Sequence, residues 1–463
     1  MVFSSITFLY YFLPITLAIY FIVPKKLKNA VLFLASLFFY FAGEYLYVWL
    51  LLFSSISDYL HSLAIEKYRG TKKQTYFFIS SIIINLALLG YFKYADFFIL
   101  NINNLLGTSI PLTKAVLPIG ISFFTFQTMS YTIDVYRGRI KAQKNLLSFA
   151  TFVSLFPQLV AGPIVRYSDI DGQLENRNHT IKQFSYGVER FVTGLAKKVI
   201  LGNGMGELCK LFSESGENTV LFVWIYAIGF MLQIYFDFSG YSDMAIGLGS
   251  MFGFSFPENF NYPYISKSIT EFWRRWHMTL SGWFKDYVYI PLGGNKVKKS
   301  RWIFNIAVVW FLTGLWHGAA WNFIFWGAYF GIILVVEKLF LNRFLDKVPS
   351  AVKRVYVLFI ILISFIIFNA PSLGTAFTQI GMLFGSGTSG AISQLSFYYF
   401  KSYALLMVIA VIGSTPYPRK LAEKLIPEKA KIFIKPIWYG ILLIICTAYI
   451  VDGSYNPFLY FRF

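Results

Sequence analysis

The chain has 463 residues, of which 57% are hydrophobic, 20% aromatic and only 14% charged, against about 25% charged residues in soluble domains. Apolar stretches recur from end to end, and a spanning helix needs only about 20 such residues, so the composition excludes a water-soluble globular protein and makes membrane lipid the expected surroundings. In a membrane protein, the formal net charge of +19 indicates basic cytoplasmic loops rather than nucleic-acid binding.

The hydropathy pattern predicts about ten to twelve membrane segments, several too short to cross a bilayer unaided. The predicted segments are Val2–Val23, Ala30–Phe41, Tyr45–Leu60, Tyr76–Tyr91, Val116–Ile133, Phe184–Leu201, Val220–Tyr235, Ile303–Leu315, Trp321–Leu341, Val355–Phe368, Tyr398–Gly413 and Ile437–Val451. Short segments indicate re-entrant helices, which need protein or a water-filled cavity around their backbone. The first segment lacks a basic leader and a cleavage site, so we interpret it as a true span.

Loop charge predicts the orientation of the chain. Basic residues at Lys25–Lys28 follow the first segment and predict an extracytoplasmic N-terminus. Another basic stretch, Arg419–Lys435, precedes the last segment, so the tail, residues 452–463, is predicted to be extracytoplasmic too. No linker or long repeat divides the chain, and we interpret residues 1–463 as one membrane domain. Cys209 and Cys446 are far apart in sequence and predict neither a disulfide framework nor a zinc cluster.

Two stretches that interrupt the apolar pattern come first in chain order. Phe156–Arg166 contains two prolines and a glycine, which predicts a broken helix of the re-entrant kind. Gln233–Asp243 then places the carboxylates of Asp237 and Asp243 beside an apolar segment, where they need partners. They would brace a catalytic histidine, pair with a later arginine-rich helix, or form a purely structural network.

A Trp- and Arg-rich stretch follows, Phe272-Trp-Arg-Arg-Trp-His277. Its composition is typical of a helix at the membrane–water interface. Arg274, Arg275 and the later Lys285 are also candidates to receive the phosphates of an anionic donor. His277 either assists a catalytic group or only shapes its site.

The motif Trp316-His317-Gly318 lies inside an apolar helical stretch. Neutral imidazole takes a proton from a hydroxyl and returns one to a leaving group near physiological pH, so His317 is a candidate general base. A hydrogen-bonded packing histidine explains the residue alone equally well. A metal site built from His277 and His317 with Asp237 or Asp243 is the less favoured alternative, because nothing in the spacing indicates it. Walker, Gly-x-Ser-x-Gly and His-Glu-x-x-His motifs are absent from the sequence.

Together these stretches resemble the membrane-bound O-acyltransferase (MBOAT) family, in the bacterial branch that acts in alginate and peptidoglycan O-acetylation and in teichoic-acid D-alanylation. The matching stretches occur in family order between residues 117 and 327, the predicted catalytic core. They are Leu117–Gln127, Pro157–Pro163, Tyr235–Asp243, Asn259–Tyr264, Phe272–His277 and Trp316–Gly318. The resemblance implies an all-α polytopic fold in which about eleven tilted transmembrane helices and re-entrant helices surround a central funnel.

The resemblance also implies roles for individual residues. His317 corresponds to the catalytic histidine of the family and His277 to its second, supporting histidine. Gln127, Asp237, Asp243, Trp316, Arg274 and Arg275 are expected to line or support the funnel, and Lys285 to contact the donor. The chain ends with the form Phe-x-Tyr-x-x-Phe, Phe458 to Phe463, which looks like the C-terminal motif of this branch. There Tyr460 would carry the acyl group; an interfacial aromatic anchor is the alternative.

The resulting expectation is a multi-pass enzyme of the bacterial cytoplasmic membrane. Acetyl-CoA would be its cytoplasmic donor, with no metal, and an extracytoplasmic SGNH-type or similar transferase would pass the acetyl group to a cell-envelope polysaccharide. Because the tail motif is in the chain itself, acetyl transfer is favoured over D-alanyl transfer. A transporter or a scaffold for envelope modification remains the alternative of another class, since broken helices and intramembrane charge occur in transporters too.

Overall fold

The computed structural model describes residues 1–453 and 459, and its regular elements in that part of the chain are helices. The chain folds as two compact units, one of residues 1–191 and 244–257, the other of residues 192–243 and 258–463. Within the described residues, seven helical segments are long and apolar enough to cross a membrane: Lys25–Lys67, Lys72–Leu106, Val220–Met251, Trp321–Leu345, Ser350–Asn369, Gln394–Gly413 and Glu428–Asp452. The predicted all-helical polytopic fold is confirmed. The single domain, the count of about eleven spans and the funnel stay predictions.

The α-helices that begin in the first unit include several shorter than a span. They are α1 (Leu13–Ile22), α2 (Lys28–Glu44), α3 (Val48–Lys67), α4 (Lys72–Leu89), α5 (Ala95–Leu106), α6 (Ile121–Tyr136), α7 (Leu146–Ser154), α8 (Phe156–Leu159), α9 (Tyr167–Glu175) and α10 (Ile181–Ala196). Helix α7 ends one residue before the four-residue α8, so the predicted break around Pro157 is confirmed.

A buried polar network holds α3, α4 and α6 of the first unit in register. The carboxylate of Asp58 accepts hydrogen bonds from Ser81 Oγ at 2.7 Å and from Asn85 Nδ2 at 3.0 and 2.8 Å. Thr128 Oγ1 in turn donates to Asn85 Oδ1 at 3.1 Å. Buried polar groups are costly unless they are hydrogen-bonded, so these donors and acceptors fix which faces of the three helices meet.

The remaining helices carry the chain from residue 203 to residue 452. They are α11 (Asn203–Ser215), α12 (Val220–Met251), α13 (Ile269–Trp273), α14 (Met278–Phe284), α15 (Lys299–His317), α16 (Trp321–Val336), α17 (Asn342–Leu345), α18 (Ser350–Asn369), α19 (Leu373–Met382), α20 (Gln394–Gly413), α21 (Tyr417–Leu425) and α22 (Glu428–Asp452). Single turns of π-helix extend several of them, at Lys197–Gly202, Lys285–Tyr289 and Glu337–Leu341.

Helix α12 is longer than the sequence predicts. The predicted segment stops at Tyr235, which is wrong, because α12 continues to Met251. Asp237 and Asp243 therefore lie inside the helix instead of in a loop that follows it. They are compatible with a continuous helix because lysines from the end of α10 and its π-helical turn neutralise them, as described below.

Two glycines bring α15 and α16 into backbone contact in the second unit. A Cβ atom added at Gly314 would lie 2.4 Å from the carbonyl oxygen of Phe323, and one added at Gly327 would lie 2.3 Å from that of Trp310. Small residues at such crossings let helices approach closely in membranes. The crossing fixes the C-terminal end of α15, one turn beyond Gly314, where His317 is the last helical residue.

Candidate active site

His317 lies at the C-terminal end of α15 and is only 3% exposed. Gly318 leaves the helix in an extended conformation, so α15 ends at His317. The C-terminal end of a helix carries partial negative charge and stabilises a cation there.

Three aromatic rings surround the His317 imidazole. Its ring centroid lies 5.0 Å from Trp316, 4.9 Å from Trp326 and 5.3 Å from Phe368. Asn322 holds the end of α18 in place, because its amide donates to the carbonyl oxygens of Phe368 and Ala370. The cage restrains the ring and keeps it buried, and a buried, water-excluded site strengthens electrostatic interactions within it.

His277 packs against Trp316, the ring that also borders His317. Its ring centroid is 5.8 Å from that of Trp316 and 4.8 Å from that of Phe238 on α12. Its backbone is left-handed, with φ 44° and ψ 53°, and the side chain is 1% exposed. Such a conformation is unfavourable for a residue other than glycine and is often found at functional sites. It joins α13 to α14 and directs the imidazole inward.

Asn259 fixes the orientation of His277. Its Oδ1 atom faces His277 Nδ1 at 3.1 Å and accepts a hydrogen bond from Thr279 Oγ1 at 2.9 Å. Its Nδ2 atom donates to Ser242 Oγ on α12 at 3.0 Å. Because Asn259 Oδ1 can only accept, Nδ1 of His277 carries the proton in this contact. Burial lowers the pKa of His277, which lies outside the seven candidate spans, to about 3, so this imidazole is neutral at physiological pH.

Two lysine–aspartate pairs join α12 to the end of α10. Lys198 Nζ lies 3.2 Å from Asp237 Oδ1, and Lys197 Nζ lies 2.7 Å from Asp243 Oδ2. The backbones approach closely here, since a Cβ atom added at Gly240 would lie 2.7 Å from the carbonyl oxygen of Gly194. Buried carboxylates need such partners. The carboxylates therefore pair with lysines, which corrects the alternative that they pair with the arginine-rich helix.

The C-terminal tail reaches one of these pairs. The backbone N–H of Leu459 donates to Asp237 Oδ2 at 2.9 Å, so the buried carboxylate binds Lys198 through one oxygen and the tail through the other. Tyr460 is the next residue in sequence but lies outside the described residues, so its predicted role as acyl carrier stays a prediction. The contact nonetheless ties the segment that carries Tyr460 to α12, in the turn that also carries Phe238.

The predicted phosphate-binding residues have different surroundings. Arg275 is committed to Glu271, at 2.9 Å, and to the carbonyl oxygen of Asn261, whereas Arg274 is exposed. Lys285 lies on the wall of a cleft of about 160 Å³ together with Trp273 and Trp310, among others. The geometry thus favours Lys285 over Arg275 as a group with charge to offer a ligand.

The cleft beside Lys285 shares an aromatic wall with the cage around His317. The ring of Trp273 lies 4.8 Å from Trp310 and 5.7 Å from Trp326, and Trp326 is the ring that packs on His317. The contacts of Trp273 with Trp326, and of Trp326 with His317, therefore connect the wall of the cleft to the cage.

Gln127 belongs to the first unit, on α6, where it is fully buried. Within the described residues, neither its amide oxygen nor its amide nitrogen has a hydrogen-bond partner. Its predicted place in the funnel stays a prediction. In the described part of the chain, His, Cys, Asp and Glu side chains nowhere gather in threes as a metal site would need, so His277 and His317 do not form one with Asp237 or Asp243 there.

Lys197, Lys198, Asn259 and Phe238 are site residues that the sequence analysis did not single out. A signal existed for the lysines, because both fall inside the predicted segment Phe184–Leu201, and charge at membrane depth demands a partner. Asn259 opens the matching stretch Asn259–Tyr264, but its contact with His277 depends on a loop that returns to α12, which periodicity does not reveal.

Similarity to known proteins agrees with this arrangement. Residues 76–375 match the family model of the membrane-bound O-acyltransferases. The chain is 40% identical over 395 residues to the probable alginate O-acetylase AlgI of Pseudomonas aeruginosa, covering 84% of this chain and 76% of that protein. It is 32% identical to the peptidoglycan O-acetyltransferase of Helicobacter pylori, over 100% and 98% of the two chains. The teichoic acid D-alanyltransferase of Bacillus subtilis is 32% identical over 48% of this chain and 59% of its own length.

Proposed function

The chain belongs to the membrane-bound O-acyltransferase family and is a multi-pass membrane O-acyltransferase; on this premise we propose that it moves acetyl groups from acetyl-CoA to an extracytoplasmic polysaccharide. The observation that carries the proposal is His317 at the C-terminal end of α15, caged by Trp316, Trp326 and Phe368. Similarity along nearly the whole chain to a peptidoglycan O-acetyltransferase supports acetyl as the group transferred.

His317 acts as the general base in the proposed reaction. The imidazole takes the proton of the acceptor hydroxyl while the hydroxyl oxygen attacks the thioester carbonyl carbon. The tetrahedral intermediate then collapses, the carbon–sulfur bond breaks, and the imidazolium returns the proton to the coenzyme A sulfur. Atoms and charge balance without a metal or redox step. The carbonyl groups at the end of α15 stabilise the imidazolium while it holds the proton.

His277 is a positioning residue in this scheme. It is neutral, bound through Nδ1 to Asn259 and packed on Trp316, so it restrains the ring that also borders His317. Lys285 attracts the phosphates of the donor at the cleft. Asp237 holds the C-terminal tail, with Lys198 keeping its charge compensated.

The acceptor hydroxyl is that of Tyr460 in the first of two transfers. A phenol has an ordinary pKa near 10 and needs a base at neutral pH. His317 is that base and removes the phenol proton. An SGNH-type or similar serine-dependent transferase outside the cytoplasmic membrane then takes the acetyl group from the tyrosine ester to an alginate-, peptidoglycan- or similar envelope polymer. With N- and C-termini outside and the donor inside, no thioester needs to be exported.

The proposal is tested by mapping the acyl group on the protein itself. Purified protein is incubated with isotope-labelled acetyl-CoA, digested, and its C-terminal peptide analysed by mass spectrometry. We expect an alkali-labile labelled acetyl group on Tyr460. Label nowhere on the protein, together with no acetyl transfer to polysaccharide in membranes, would overturn acetyl transfer. D-alanylated product in its place would support the D-alanyl alternative, and substrate movement without any donor would support a transporter.

A pair of double variants tests the tail contact at Asp237. Removing only the carboxylate would leave the buried Lys198 without the negative charge that it pairs with at Asp237, which costs about 3–5 kcal/mol, so Lys198→Met accompanies both changes. Asp237→Asn retains an oxygen that can accept from Leu459, whereas Asp237→Leu has none. We expect Lys198→Met/Asp237→Asn to label its tail at a rate within about threefold of wild type, and Lys198→Met/Asp237→Leu to be slower by tenfold or more, a loss of ~1.4 kcal/mol.

The thermal midpoint of each double variant serves as the folding control. Equal labelling rates in two equally stable variants would mean that the Leu459 contact does not position the tail. Such a result would leave His317 and the donor untouched, so it would separate the tail from the rest of the proposal.

A further inference from the structure

Four basic residues gather around Tyr20 in the first unit, and the proposed function uses none of them. We call Lys25, Lys28, Arg177 and His179 the basic cluster. Lys25 lies between α1 and α2 and Lys28 is the first residue of α2, while Arg177 and His179 lie between α9 and α10. The cluster therefore joins two loops that are separate in sequence, and the contacts within it define its shape.

The hydroxyl group of Tyr20 organises the cluster. It donates to the carbonyl oxygen of Phe252 at 2.8 Å, accepts from Arg177 Nε at 3.1 Å and faces His179 Nε2 at 2.8 Å. Since its one hydrogen is used by Phe252, His179 Nε2 must donate. Arg177 is buried and also donates through Nη1 to Gln173; in the described part of the chain its Nη2 hydrogens meet no protein acceptor.

The positive charge of the cluster has no carboxylate to balance it. In residues 1–453 and 459, none of its four members forms an ion pair with Asp or Glu. Aromatic rings support the cations instead: Lys28 Nζ lies 4.4 Å from the ring centroid of Tyr20, and Arg177 Cζ lies 4.5 Å from that of Phe254. Burial and then the charges of Lys28 and Arg177 lower the pKa of His179. An anion bound among these groups would relieve their mutual repulsion.

The apolar surface beside the cluster identifies the kind of anion. Ile15, Ile19 and Ile22 are exposed along one face of α1, at the i, i+4, i+7 spacing of a helical stripe, and Ile22 is 83% exposed. This stripe ends at Lys25, at the junction that loop charge predicts to be cytoplasmic. Acyl chains along the stripe would place a headgroup at the basic cluster. Basic pockets on the cytoplasmic side of membrane helices recognise anionic lipids in this way.

We propose that the basic cluster binds the phosphate of an anionic phospholipid, whose acyl chains lie along the exposed stripe of α1. Lys28 and the Nη2 group of Arg177 contact the phosphate oxygens, and Lys25 adds long-range attraction. The site shares no residue with the proposed acyl-transfer machinery and stands whether or not the proposed donor is correct.

Lys28→Gln is the variant of choice, because Lys28 is partly exposed and makes only ring contacts, so the fold does not depend on its charge. Lys73→Gln is the matched control: Lys73 Nζ lies 5.2 Å from the ring of Tyr68, another exposed lysine on an aromatic ring, but without a buried arginine beside it. Native mass spectrometry of the delipidated full chain then gives the affinity for phosphatidylglycerol and for phosphatidylcholine.

We expect wild type and Lys73→Gln to bind one phosphatidylglycerol with equal affinity and in preference to phosphatidylcholine. Lys28→Gln should bind it about fivefold more weakly, as for the loss of one basic contact at a membrane surface. Equal losses in both lysine variants would mean general electrostatic attraction and would overturn the site. Inorganic phosphate and coenzyme A are tested in parallel: if either binds with the same Lys28 dependence and displaces the lipid, the ligand is a soluble phosphate and the lipid proposal is wrong.

Discussion

Replacing His317 by alanine is expected to slow acyl transfer by about 10³-fold, since a positioned general base contributes typically 10²–10⁴. Only the proton acceptor is lost, because the cage of Trp316, Trp326 and Phe368 remains. The measurement is the initial rate at which labelled acetyl appears on protein or acceptor, at saturating acetyl-CoA. Added imidazole should restore part of the rate by entering the space left by the side chain.

Two controls separate chemistry from folding in that experiment. His61→Ala removes a partly exposed histidine from α3, hydrogen-bonded only locally to Ser57, and should keep at least half of the activity. His277→Asn keeps a residue that tolerates the left-handed backbone and should lose about tenfold, without rescue by imidazole, because His277 positions a ring and moves no proton. If His317→Ala keeps a tenth of the wild-type rate or more, the imidazole is a packing group and another base must be sought.

The sequence predicts well those parts of the fold that depend on the local sequence pattern. Apolar length alone places α16, α18 and α20 within about five residues of their observed bounds, whereas α22 begins at Glu428, nine residues before the predicted Ile437. The break near Pro157 follows from proline and glycine chemistry. Each of these features depends on neighbours in sequence, so no knowledge of tertiary contacts is needed to predict it.

The prediction of where α12 ends is wrong for the opposite reason: it depends on contacts between helices. Asp237 and Asp243 indicate the end of an apolar segment when only their own neighbours are considered, yet Lys198 and Lys197 neutralise them from a helix about forty residues earlier in sequence. Pairing between two helices is a tertiary contact, which the local sequence does not reveal. The net charge of each pair is zero, so a pattern that counts the aspartates alone overstates the cost of burying them.

The site itself divides in the same way. The motif Trp316-His317-Gly318 identifies the candidate base because it is contiguous, and the structure adds that it ends a helix. The environment of His277 could not be predicted from the sequence. It consists of a left-handed backbone, a loop that returns Asn259 to α12, and a ring, Trp316, that also borders His317. Orientation of a second histidine depends on contacts, whereas its presence can be read from composition and resemblance.

The Leu459 contact changes how the tail should be understood. An aromatic anchor at the interface needs no specific hydrogen bond, yet the backbone of residue 459 meets a carboxylate that is 4% exposed and already paired with Lys198. A backbone donor is independent of side-chain identity, so Asp237 would hold the tail whatever residue stands at 459. Binding through the backbone of residue 459 would leave the side chain at position 460 available for the proposed acylation.

Tyr460→Phe removes the hydroxyl group at position 460 while keeping an aromatic ring. We expect this variant to abolish the label on the C-terminal peptide and to lower acetyl transfer to the polymer by at least 100-fold. The loss follows if the phenol oxygen is the atom acylated, as proposed, because phenylalanine differs from tyrosine by that oxygen alone. Tyr455→Phe, five residues earlier in the same tail, is the matched control and should behave as wild type. The measurement compares labelled peptide and acetylated polymer in membranes that contain equal amounts of each variant. Wild-type acetylation by Tyr460→Phe would show that the tail is only an anchor and that His317 serves the polymer hydroxyl directly.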